Sequence, residues 1–67
     1  MNEQMKFHLR EWAELLMVKV SLEVMRDAFA PADSSLWLRC DRCVDTVIQR
    51  MKPIEKILEL LTDEYNR

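Results

Sequence analysis

The chain has 67 residues, 49% of them apolar and 33% charged, with no glycine, two prolines and a formal net charge of −2. That composition disfavours glycine-dependent primed turns and phosphate-cradling loops, and it is too apolar for a disordered chain. A near-neutral mixture of signs argues against both a broad basic nucleic-acid surface and an acidic nucleic-acid mimic. A sheet protein this short and free of glycine is hard to build, so the fold class is all-α. Residues 1–67 form a single domain, whose core is marginal unless it is stapled or doubled.

The first helix is predicted over residues 2–29. Glu3 stands in its first turn, where the helix dipole favours an anion. The first half gathers Met5, Leu9, Trp12, Ala13 and Leu16 on one face, opposite Glu3, Lys6, Arg10 and Glu14. The second half adds a further stripe, Leu15, Val18, Leu22, Met25 and Phe29, at steps of three and four. Met17, Val20, Val24 and Ala28 fill the arc between the two, leaving Lys19, Glu23, Arg26 and Asp27 as a polar strip. A helix apolar over most of its circumference has to be covered on more than one side. A single partner helix covers part of it, and in a chain this short the rest is expected to be covered by another molecule. The stripe Leu15, Val18, Leu22, Met25 and Phe29 is therefore the expected dimer interface. Two hairpins related by a two-fold axis would then form a homodimeric four-helix bundle.

A breaker cluster follows at 30–35, Ala-Pro-Ala-Asp-Ser-Ser. The residue before a proline is pushed out of the α region, so Pro31 ends the first helix. Asp33 or Ser34 can cap the next one. A loop of this length suits two antiparallel neighbours.

The second helix is predicted over 36–65. Trp37, Cys40, Val44, Val47, Met51, Ile54, Leu58, Leu61 and Tyr65 follow one another at alternating steps of three and four without a break. That is the seam of a helix packed lengthwise on another. Leu36, Cys43 and Ile57 widen it on one side and Ile48 on the other, which suits a bundle better than a bare zipper. Pro53 falls at an outward position, where it removes a backbone donor and crowds the preceding turn. The seam keeps its phase on both sides, so one helix kinked near Pro53 is expected; the rival is a fresh helix starting there, with Glu55 in its first turn. The predicted fold is an antiparallel two-helix hairpin.

Residues able to carry chemistry are few. Cys40 and Cys43 form a CxxC, but a redox pair sits at a helix N-terminus in a βαβ setting, and here the first cysteine lies on an apolar seam. As a zinc site it supplies two ligands where four are needed, unless a dimer unites two pairs or His8 contributes. The reading is two small core residues, with no metal and no cofactor. His8 lacks the carboxylate and hydroxyl pattern of a triad. The carboxylates are scattered, several of them three or four residues from a base, as Glu14 is from Arg10 and Glu23 from Lys19. No enzyme is expected. No apolar run is long enough to span a bilayer and no segment reads as a signal peptide, so the expectation is a cytoplasmic protein with reduced thiols.

Trp37, with Arg39 and Arg42 beside it, is the candidate partner-binding patch, because tryptophan and arginine dominate binding hot spots. The expected function is that of a small non-enzymatic protein that binds and modulates another protein. Its form is that of phage or bacterial inhibitors, anti-activators and co-chaperones. The expected partners are a second copy of itself and a host or cellular protein, a transcription regulator among the candidates, with no membrane and with nucleic acid only as the alternative. Arg39, Arg42, Arg50 and Lys52 make the most basic stretch, with Asp41 and Asp45 interleaved. A helical hairpin dimer carrying them resembles the Rop family of RNA-binding plasmid copy-number proteins in architecture, without a shared motif. That resemblance implies RNA contact through these arginines.

Overall fold

The computed structural model describes residues 2–29 and 32–66, apart from the side chain of Phe29. The breaker Pro31 and the Phe29 side chain of the expected interface thus lie outside the described residues. Two helices are present, α1 over Glu3–Phe29 and α2 over Ser34–Tyr65, and there is no strand among the described residues. They pack side by side in opposite directions. Arg26, near the end of α1, reaches Asp41 near the start of α2, while Leu9 and Trp12 share a groove with Leu58 and Thr62. The result is a rod of 51 × 14 × 14 Å with a radius of gyration of 15.4 Å. A compact chain of this length would have a radius of about 11 Å.

Each helix start has a local cause. The Asn2 side-chain oxygen accepts from the Met5 amide at 2.7 Å and opens α1. Of the two residues able to cap α2, Asp33 does so. Its backbone is extended, at φ −154° and ψ 102°, and its Oδ1 accepts from the amides of Ser35 at 2.9 Å and Leu36 at 3.2 Å. The cap starts the helix at Ser34, slightly ahead of where the apolar seam begins. Asp33→Ala is expected to cost about 1 kcal/mol, since two amides of the first turn lose their acceptor. In a chain of this size that lowers Tm by about 4–8 °C. A thermal melt followed by circular dichroism that does not move would contradict the cap. Further on, α2 runs through Pro53 as one element and closes with the Asn66 amide bonded to the Thr62 carbonyl at 3.0 Å.

The seam of α2 faces α1. Val44, Val47 and Met51 are buried. Trp37, Cys40, Ile54, Leu58 and Leu61 are half-buried, as are Leu36 and Ile48 beside them. Cys43 and Ile57 stay exposed, so of the three residues expected to widen the seam on that side only Leu36 does. Tyr65 is exposed as well. Tyr65 stands in the last turn of α2, which with 32 residues is longer than the 27-residue α1.

α1 is turned otherwise than a simple apolar-in pattern would have it. Half-buried positions are Met5, His8, Glu11, Trp12, Leu15, Leu16, Lys19, Leu22, Glu23 and Arg26. Lys19, Glu23 and Arg26 of the polar strip therefore lie toward α2, while Asp27 is exposed. Ala13, Met17, Val18, Val20, Val24, Met25 and Ala28 are exposed. Ala13, grouped by its spacing with the buried face, points outward, and Leu9 sits at the margin. The arrangement is tolerable because long cationic side chains lay an apolar stem along a seam and keep the head at its edge. Lys19 shares a groove with Ile48 and Met51 while its Nζ meets Glu23 Oε1 at 3.1 Å.

Candidate interaction surface

Among the described residues no group of three histidine, cysteine or acidic side chains is placed to hold a metal ion. Cys40 is half-buried on the seam and Cys43 exposed one turn later. His8 is half-buried, with Nδ1 3.1 Å from Glu11 Oε1 on its own helix. No helix among the described residues is long and apolar enough to cross a membrane.

The strongest polar tie between the helices is at the loop end. The Arg26 guanidinium donates to Asp41 Oδ1 at 2.9 Å and to Asp27 Oδ1 at 3.2 Å. It also stands 5.9 Å from the centre of the Trp37 ring, within range of a cation–π contact. The hydrogen bond to Asp41, and after it the one to Asp27, pushes the Arg26 pKa further up.

That tie bears on the candidate patch. Trp37 is half-buried beneath Arg26, whereas Arg39 and Arg42 are exposed on the next turn. Spacing of three and four places Arg39, Arg42 and Thr46 along one side of α2, and Arg50 one turn further. Asp41 is turned away from that side, toward Arg26. Of the two interleaved acids the helix thus sorts Asp41 onto a different face, while Asp45 stays exposed three residues after Arg42.

The residues of the expected dimer stripe are divided between two surfaces. Leu15 and Leu22 are half-buried toward α2, while Val18 and Met25 are exposed. Leu15 and Val18 line an open groove with Ile54, rimmed by Glu11, Glu14 and Arg50. A further exposed apolar face lies elsewhere on α1. Met17 is 69% exposed, Val24 64% and Val20 49%, with Ala13 and Ala28 at the two ends and Ser21 among them. Met17, Val20, Val24 and Ala28 read in the sequence as filler between stripes, and Ala13 as part of the buried face. Their own recurrence, at steps of four, three, four and four from Ala13 to Ala28, is the signal that marks them as a face. On the inner side, Trp12 Nε1 is buried without a hydrogen-bond partner among the described residues.

The chain matches no family model, no curated protein and no solved structure.

Proposed function

We propose that this chain is a small non-enzymatic protein that binds and modulates another protein, acting as a dimer of hairpins. The two copies would form a four-helix assembly with α2 bent near Pro53. The observation that carries the reading is the apolar face of α1. Met17, Val20 and Val24 stand in solvent while Lys19, Glu23 and Arg26 of the same helix are drawn toward α2. Contiguous apolar surface on a small soluble protein marks an interaction site. The grooves between the helices are open.

Within this reading Arg39 and Arg42 meet the target, at the loop end of the rod, with Trp37 held behind them by Arg26. The target is a cellular protein and the setting cytoplasmic. The test is recovery of partners on the tagged chain from a nuclease-treated bacterial lysate. One protein near stoichiometry is expected, lost in Arg39→Glu/Arg42→Glu while circular dichroism is unchanged.

One observation favours a second reading, an RNA-binding hairpin of the Rop kind. Arg39, Arg42 and Arg50 lie along an exposed side of α2 from which Asp41 is turned away. Recovery of RNA from untreated lysate, and of nothing from treated lysate, would select it. Binding would then weaken steeply with added salt as condensed counterions are released. Recovery of neither protein nor RNA would contradict both.

A further inference from the structure

We infer that a second copy of the chain covers the outward face of α1, with the two α1 helices antiparallel and the two-fold axis passing between Val20 and Ser21. This rests on the dimer reading above and says which surface makes the dimer. It places the α1 helices inside and the α2 helices outside, rather than joining the hairpins through the Leu15–Val18–Leu22 stripe.

Three observations support a second copy as the occupant. The first is area. The chain exposes 5283 Å², whereas a monomeric globule of its mass exposes about 4,500 Å². The excess of about 800 Å², which comes with the rod shape, matches in size the share that one partner buries in a standard interface. The second is self-complementarity. About a centre between Val20 and Ser21, Ala13 falls opposite Ala28 of the other copy and Met17 opposite Val24. A long side chain thus meets a short one near the middle, and alanines at both ends let the helices come close. Each contact is made twice, as an isologous interface requires. The third is electrostatic. An antiparallel pair opposes its helix dipoles favourably. It also separates the two Arg10 side chains, which lie on the same face and would stand side by side in a parallel pair.

The register makes the inference testable by cross-linking. In a Cys40→Ser/Cys43→Ser background, single cysteines are placed at exposed positions and treated with a short bismaleimide. Ser21→Cys, beside the axis, is expected to shift on a denaturing gel to twice the chain mass. Ala13→Cys alone is expected not to, because the two copies of residue 13 then lie roughly 22 Å apart along the axis, 15 residues at about 1.5 Å each. A mixture of Ala13→Cys with Ala28→Cys is expected to give the mixed dimer. Circular dichroism shows that each variant remains helical, and sedimentation gives its mass before cross-linking. Ready cross-linking of Ala13→Cys to itself would overturn the antiparallel order. A dimer by sedimentation that Ser21→Cys does not cross-link would overturn this face and leave the dimer standing. A helical monomer by sedimentation would overturn both, and a hetero-partner would then have to cover the face.

Discussion

Met51→Ala is expected to remove most of the stability of the hairpin. Met51 is 5% exposed and is one of only three buried apolar residues among those described, with Val44 and Val47. Truncating a buried methionine to alanine costs about 2–5 kcal/mol, through lost transfer energy and the cavity left behind. A single core in a chain this short rarely supplies more than about 3–5 kcal/mol. The substitution is therefore of the same size as the whole. Met51 shares a groove with Trp12 and Leu16, so tryptophan emission reports the loss alongside helical circular dichroism. The expected result is a broad, early melt with partial unfolding at room temperature at low concentration. A variant that melts with the parent chain would show that the seam of α2 does not hold the helices together.

Pro53→Ala is expected to act in the opposite direction. Pro53 lies inside α2, well away from either end, and is exposed. A proline in a helix interior costs about 3 kcal/mol relative to alanine, because it gives up a hydrogen bond to the carbonyl four residues back and crowds that turn. Part of this is returned by the stiffness it lends the unfolded chain, about 0.4–1 kcal/mol. A net gain of roughly 2–3 kcal/mol follows. At about 4–8 °C per kcal/mol it raises Tm by more than 8 °C. A Tm that is unchanged or lower would mean that the turn before Pro53 is already relaxed in the folded protein. The site is on the solvent side of α2, so no packing contact is disturbed by the change.

The two helices differ in how openly their sequence states their orientation. α2 is legible because its apolar residues fall on one seam and its charges elsewhere. From Trp37 to Leu61 every seam residue is buried or half-buried against α1. The capping residue was narrowed to two by chemistry, and backbone geometry decides for Asp33. α1 is not legible in the same way, because apolar residues surround it and no single direction outweighs the rest. What turns it is a contact between residues far apart in sequence, Arg26 with Asp41 and Trp37, together with the packing of Trp12, Leu15, Leu16 and Leu22. No pattern within α1 alone encodes that choice. The candidate patch was partly legible for the same reason. Arg39 and Arg42 are exposed as surface arginines are, but the partner of Trp37 lies on the other helix.

The inward polar strip also explains why the chain should be sensitive to its surroundings. A hairpin that places Lys19, Glu23 and Arg26 along its own seam gives up apolar contact there. The apolar residues that could have made that contact are on the other side of α1. On the proposed dimer, stability is divided between the contact with α2 and the cover of Met17, Val20 and Val24, and the second part depends on concentration.

Sedimentation equilibrium of the unmodified chain, with circular dichroism on the same samples from low micromolar to millimolar concentration, tests this division most directly. The account predicts twice the 8.1 kDa chain mass at the upper end, with mass and helicity falling together on dilution. A fully helical 8.1 kDa species at every concentration would contradict it, because the outward face of α1 would then stand in water at no cost.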